Sequence, residues 1–459
     1  MKIFLTAFVA IVLSVSAISA QTSDAALRSA TAADAASRDG SGKLQTLPAV
    51  VHLSRAETYS ANRLFPQARE HWQKVFDNYP DDAGMAKALF GTARSYMWER
   101  EYGKAVEWFN RLTKDFPYTK DGREGLAFKG ASLVREGKNI EAAKVYEQYV
   151  TMFPNGEKIE SAHLNIIDAY REAGKYVDAD RWVDRTVTTF SGRPTDANAR
   201  QARLRMKIHQ ADWIGAIAAA DSLLSVGTFA KSMTSADEAK FLKALALERS
   251  GRKAEANAVY TSMPNGINSY FGGLAADRMA GGLQVNKIGS VTPRLYADFP
   301  APYKTDLLKH ARLRKIDPRF LLAIMKQESV FKAGAKSPAG ARGLLQFVYD
   351  TALKYNKKAG YPNLKPDDLY QPAVSIALGS VYVGELKDEF DGMYEAVAAS
   401  YNGGEDNAAR WLNRSKPKEP GVFAAEVGFA ETKNYVFKVM NNYRVYRELY
   451  TEDLERKKE

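Results

Sequence analysis

The stretch FLLAIMKQESVFKAGAKSPAGARGLLQ, which begins at Phe320, puts one carboxylate at the end of an apolar, helix-forming run. Asp317 and Pro318 precede it as a helix cap and a first-turn proline. Leu321, Ile324 or Met325, and Glu328 then recur at spacings of three and four, which sets Glu328 on the apolar face. A carboxyl held against apolar surface has its charged form destabilised, so its pKa rises. Such a group suits general acid work at neutral pH. The plain alternative is that the period slips at the helix end and Glu328 meets water, as most glutamates there do. Beyond it the chain turns through Gly334, Ser337, Pro338 and Gly340, then re-enters an apolar pattern, GLLQFVYDTALKY. A Ser- and Gly-rich loop therefore sits beside the carboxyl. Ser337 is placed to bond a ligand or the carboxyl, or to act as a turn or cap serine. Gly340 and Gly343 admit a close backbone approach, or simply a tight turn.

Two later stretches add polar groups. AVAASYNGGEDNAARW reads as a helix broken at Gly403 and Gly404, with Tyr401 and Asn402 at its mouth. Tyr and Asn there suit stacking and hydrogen bonding on a sugar; an ordinary Asn-Gly helix cap accounts for them equally. In GFAETKNYVFKVMNNY, Glu431 and Tyr435 lie four apart on a helical pattern, facing one groove or forming a surface pair. Other chemistries lack their residues. There is no cysteine, so no thiolate metal site, disulfide or cysteine nucleophile. The five histidines show no ligand spacing and none follows His310, which argues against a metal site or a Ser-His-Asp triad near Glu328. No phosphate-cradling glycine motif occurs, and no cofactor is expected.

The elements that position these residues read as helical throughout, so the expected fold class is all-α. Tyr79-Pro80, Phe116-Pro117, Phe153-Pro154 and Phe190-Ser191 are each 37 residues apart, and Ala68, Ala105, Ala142, Ala179 and Ala216 share that period. Each unit is a helix, a turn and a second helix closed by the aromatic residue and the proline. The small Ala lets the two helices approach. One hairpin cannot bury its apolar stripe alone, so neighbours stack into an α-solenoid over 49–264. Residues 1–20 read as a secretory signal peptide cut after Ala20, or as an uncleaved anchor. Residues 21–48 read as a disordered leader, 265–298 as a linker, 299–450 as the site-bearing domain and 451–459 as a charged tail. The net charge of +11 favours an anionic partner, but the basic residues are dispersed and form no nucleic-acid stripe.

Taken in order, the markers of the last ~150 residues resemble the catalytic domain of soluble lytic murein transglycosylases, a goose-lysozyme-like helical fold. They are Glu328-Ser329, Ser337, Gly340 to Gln346 (GARGLLQ), Asp368-Leu369 with Pro372, ALGSVYVGEL, SYNGG and ETKNYV. The preceding helical hairpins resemble tetratricopeptide repeats, with a period slightly above the usual ~34 residues. Leu345, Ser400, Gly403 and Lys433 depart from the family pattern, where Met, Ala, Ala and Arg are usual. The resemblance implies that Glu328 protonates the glycosidic oxygen between N-acetylmuramic acid and N-acetylglucosamine and then acts as a base. It also implies acetamide assistance, a 1,6-anhydro product and a periplasmic enzyme acting on peptidoglycan. Ser337, Gln346, Tyr401 and Asn402 match groove-lining positions, and Glu431 and Tyr435 match positions near the same groove. A goose-type lysozyme hydrolase and a non-catalytic wall-binding scaffold are the rival readings. The solenoid is expected either to position the enzyme on peptidoglycan or to dock other wall enzymes.

Overall fold

The computed structural model describes residues 25–279, 293–337 and 340–457. The expected signal peptide, residues 1–20, lies outside them. All the regular elements among the described residues are helical, so the chain is all-α. It divides into two compact units, one ending at Thr186 and one beginning at Val187.

The first unit starts with α1 (25–36) and continues through α2 (Ala49–Ala61), α3 (Phe65–Asn78), α4 (Met85–Trp98), α5 (Tyr102–Asp115), α6 (Lys120–Arg135), α7 (Asn139–Met152) and α8 (Ile159–Glu172); α9 (Tyr176–Thr189) closes it and runs past Thr186. The second helix of each hairpin starts 37 residues after the last, at Phe65, Tyr102, Asn139 and Tyr176. Ala68, Ala105, Ala142 and Ala179 are fully buried one turn into these helices, as the repeat requires. Tyr79, Phe116 and Phe153 cap α3, α5 and α7, so the aromatic-proline pairs close the helices as expected. The packing pairs small with large. A Cβ on Gly91 would meet the Trp72 ring at 2.3 Å, and one on Gly130 would meet the Tyr146 ring at 2.5 Å.

Residues 25–48 correct the expectation of a disordered leader. Asp34 of α1 is buried and accepts hydrogen bonds from the Tyr59 hydroxyl at 2.6 Å and His71 Nε2 at 2.8 Å, with Arg55 paired to its other oxygen. His52 Nδ1 meets His71 Nδ1 at 2.8 Å, while His52 Nε2 accepts the Leu47 amide. Leu44 is buried as well. An Ala-rich stretch of low hydrophobicity reads as disorder, yet alanine is the best helix former, and one buried carboxylate fastens this segment to α2 and α3.

The second unit continues with α10 (Pro194–His209), α11 (Trp213–Leu224), α12 (Ala236–Arg249) and α13 (Lys253–Thr261), two more hairpins with Ala216 and Ala256 buried. Then come α14 (Tyr270–Met279), α15 (Pro293–Asp298), α16 (Lys304–Leu313), α17 (Pro318–Glu328), α18 (Tyr349–Tyr355), α19 (Pro372–Glu389), α20 (Tyr394–Gly403), α21 (Glu405–Arg414), α22 (Pro420–Glu426) and α23 (Ala430–Leu449). Three boundaries differ from expectation. The last two hairpins share a core with the site-bearing domain, because α12 packs on α22. The expected linker contains α14, whose Tyr270 stacks on Phe437 of α23 at 4.9 Å. The expected charged tail folds back: Leu454 is buried and the Lys457 amide bonds the Leu449 carbonyl at 2.9 Å.

A buried polar seam joins those hairpins to α21, α22 and α23. Lys433 Nζ lies 2.7 Å from Glu238 Oε2, with both side chains almost wholly buried. Arg205 donates to Glu426 Oε2 at 3.0 Å, and Arg414 donates to the Glu426 carbonyl at 3.0 Å. Removing one partner of such a pair strands a buried charge, which costs about 3–5 kcal/mol. Lys433→Ala is therefore expected to lose about that much unfolding free energy in urea titration. A Lys433→Met, Glu238→Leu double variant is expected to recover most of it. A single variant within about 1 kcal/mol of wild type would contradict the seam's role.

Candidate active site

Glu328 is the last residue of α17. Asp317 caps the helix by accepting the Arg319 amide at 2.9 Å, and Pro318 opens its first turn. Pro318 through Met325 are all buried, so the helix is driven into the core as a rod and delivers Glu328 at its far end. The chain then breaks sharply. Val330 and Phe331 take φ of 49° and 62°, a left-handed conformation that side chains with a Cβ disfavour. Such strain persists only where the surroundings impose it. Here Ser329 does so. Its hydroxyl reaches the Leu344 carbonyl at 2.8 Å and the Met325 carbonyl at 3.2 Å, tying the following loop to the helix end.

The carboxyl itself is largely buried, and this pushes its pKa up from 4.5 to about 7. The Tyr435 hydroxyl donates to Glu328 Oε1 at 2.6 Å and pulls the other way, but burial wins. Tyr435 and Tyr401 are held protonated well above the ordinary phenol range by their own burial, and the nearby Glu328 adds to this. Tyr435 therefore stays a donor, and it fixes which way the carboxyl points. Among the described residues, no second carboxylate contributes to the charge balance of Glu328.

The loop after Glu328 is held from inside. Ser337 Oγ accepts the Ala341 amide at 3.1 Å, which makes it a turn serine in this structure. Pro338 and Ala339 lie outside the described residues. Gly343 has φ of 79°, and a Cβ there would meet the Leu369 carbonyl at 1.9 Å, so only glycine fits. Gln346 also has positive φ, and its Nε2 donates to the carbonyls of Gly343 at 2.9 Å and Ala335 at 3.1 Å. The Tyr401 hydroxyl donates to the Leu345 carbonyl at 2.6 Å.

Of the seven residues singled out from the sequence, Glu328 and Tyr435 meet directly, and Tyr401 stands close enough to feel the carboxyl's charge. Ser337, Gln346 and Tyr401 spend their polar groups on shaping the loop. Asn402 is exposed, and its Oδ1 accepts the Thr432 hydroxyl at 2.7 Å, tying α20 to α23. Helix α20 includes Gly403 and breaks at Gly404, one residue later than the sequence implied. Glu431 is exposed one turn before Tyr435. Lys433, noted only as a departure from the family pattern, is a buried member of the seam to α12. Ser329 and Thr432 are the positioning residues that spacing did not reveal.

Comparison with known proteins bears on this geometry. Residues 307–423 match the transglycosylase SLT domain model, and residues 53–118 match a tetratricopeptide repeat model. The C-terminal part of the chain is thus similar to the transglycosylase SLT domain. The soluble lytic murein transglycosylase of Salmonella typhimurium is 29% identical over 167 residues, 36% of this chain and 26% of that protein. A putative soluble lytic murein transglycosylase of Haemophilus influenzae is 34% identical over 126 residues, 27% of this chain and 21% of that protein. The chain thus spans about a quarter of the length of these curated relatives. The 70 kDa soluble lytic transglycosylase of Escherichia coli has the same fold, with a TM-score of 0.51, 17% identity, and coverage of 89% of this chain and 82% of that one. The SLT domain match contains Glu328 and the loop, while Tyr435 lies beyond its end.

A raised carboxyl pKa has a thermodynamic consequence. The folded state holds the Glu328 proton to about pH 7, whereas the unfolded chain releases it near 4.5. Stability from this group is therefore complete below pH 4.5 and declines as pH rises through 7. Glu328→Gln removes the penalty. It is expected to be more stable than wild type at pH 8 by up to about 3 kcal/mol, with the gap closing near pH 4, as read by thermal unfolding across pH. A gap that is absent at pH 8 would contradict the buried carboxyl.

Proposed function

We propose that this protein is a lytic transglycosylase that cleaves the β-1,4 bond between N-acetylmuramic acid and N-acetylglucosamine in peptidoglycan and closes a 1,6-anhydro ring on the muramic acid. The observation that carries this reading is the largely buried Glu328, protonated near neutral pH and aimed by Tyr435, with no second carboxylate among the described residues acting on it. Two-carboxylate glycosidases need a nucleophile or a base on the opposite face of the sugar. A lone acid fits a substrate-assisted route instead. Glu328 gives its proton to the departing glycosidic oxygen as the C1–O bond breaks. The acetamide oxygen of the same muramic acid shields the positive charge at C1. Glu328, now a carboxylate, takes the proton of the C6 hydroxyl, whose oxygen bonds to C1. The acid ends as it began and no water is consumed.

Supporting features surround that step. The SLT domain match covers the acid and its loop, and the relatives named as murein transglycosylases match the same part of the chain. The surplus of 65 Lys and Arg over 54 Asp and Glu suits an acidic wall polymer. Ser337, Gln346, Tyr401, Asn402 and Glu431 are assigned to the walls of the glycan groove, Ser337, Gln346 and Tyr401 mainly by shaping the loop that forms it. The site is read as needing no cofactor. Among the described residues no helix is long and apolar enough to cross a membrane. With a cleavable leader, the protein would act in the periplasm.

Glu328→Gln is expected to keep the fold and to release no muropeptides from purified sacculi. Wild type is expected to release products that mass spectrometry identifies as 1,6-anhydro. Reducing-end products would show hydrolysis instead, and a fully active Gln variant would remove Glu328 from the chemistry. Tyr435→Phe deletes the hydrogen bond that favours the carboxylate. The basic limb of its pH-activity profile is expected to move up by roughly one unit. A downward shift would contradict the assigned role of Tyr435.

A further inference from the structure

Helix α17 carries Glu328 at one end, and a separate cavity of about 640 Å³ opens at the other. The eleven residues of the helix put roughly 15 Å between the two places, at 1.5 Å per residue. The cavity lies wholly within the second unit, among α14, α17, α20 and α23. Its volume is in the usual range for small-molecule sites.

Most of its polar groups already satisfy one another. Asp317 accepts from Arg319 and, at 2.9 Å, from the Tyr443 hydroxyl. Arg319 also reaches the Tyr450 carbonyl at 3.2 Å. Buried Glu395 accepts from the Tyr270 hydroxyl at 3.2 Å. Among the rest, Arg444 Nε is buried without a hydrogen-bond partner, and Asp277 and Arg447 make no salt bridge among the described residues. Asp277, in the last turn of α14, has a buried Oδ1 with no hydrogen-bond partner. Burial raises its pKa, and the charges of Arg444 and Arg447 only partly offset this. Arg447, in the last turn of α23, lies over the Tyr443 ring at 5.6 Å and makes no salt bridge among the described residues. A buried acceptor without a donor is costly, and native structures rarely keep one without a reason.

We propose that this cavity binds a small zwitterion, with its ammonium on Asp277 and its carboxylate on Arg447. That is the chemistry of a free amino acid or of the end of a short peptide. The guanidinium fork suits a carboxylate, and Tyr394, Met393 and Met440 supply apolar wall for a short side chain. A bare anion would leave Asp277 unpaired, and a bare amine would leave Arg447 unpaired. None of these residues belongs to the Glu328 groove, so the proposal stands apart from the reaction assigned above.

Calorimetry on the full chain tests it, with D-alanine and D-alanyl-D-alanine as probes and N-acetyl-D-alanine amide, which carries neither charge, as control. Saturable binding of at least one charged probe is expected, with none for the control. A tighter dipeptide points to a peptide end, and equal or tighter alanine points to a free amino acid. Asp277→Asn and Arg447→Gln are each expected to weaken binding about tenfold or more while leaving the unfolding midpoint unchanged. Two results overturn the proposal: no saturable binding of either charged probe, or variants that keep their fold and bind as wild type does.

Discussion

The withdrawal of one carboxyl from water is the constraint on which the rest of the site depends. Water would hold Glu328 ionised well below neutral pH, and an ionised carboxylate has no proton to give. Burial against the end of α17 reverses that preference and lifts the group to about 7. The Tyr435 hydroxyl opposes it in energy but supplies direction, since its 2.6 Å bond holds one oxygen in place. The result is a carboxyl poised near neutral pH, with both protonation states accessible, as the proposed reaction requires.

Keeping that balance requires two helices to stay where they are. Helix α17 packs along α23, so the carboxyl and the tyrosine are placed by the same contact. The start of α23 is in turn fastened by Lys433 to Glu238 of α12, and by Thr432 to Asn402 of α20. The last two hairpins are therefore structural members of the unit that carries Glu328. Around the acid, the strained turn at Val330 and Phe331 and the left-handed Gln346 are held by bonds from Ser329, Tyr401 and the Gln346 side chain itself. Those bonds tie the described part of the loop to the helix end and to its own backbone, the kind of support an oriented reaction requires.

Features with a period were legible in the sequence. The 37-residue recurrence located the hairpins, their buried alanines and their aromatic caps, because each repeat meets the same steric demand. The three-and-four spacing put Glu328 on the apolar face of α17, and i,i+4 logic drew attention to Tyr435. What stayed hidden was tertiary. Nothing local says that Asp34 will bury itself against His71, so residues 25–48 read as solvated when they are docked. Gly-rich composition made α14 look like a linker, although Tyr270 and Phe271 anchor it in the core. Polar residues read as facing a ligand, such as Ser337 and Gln346, turn their groups to the loop's own backbone. Residue type reveals bonding capacity; only the fold decides the partner.

The most direct test of the account is the microscopic pKa of Glu328, measured by following its side-chain carboxyl carbon in an NMR pH titration of the full chain, with Glu328→Gln to assign the signal. The structure predicts a midpoint near 7. A midpoint at the ordinary 4.5 would mean that water reaches the group freely, and the proton on which the mechanism depends would be gone before the substrate binds.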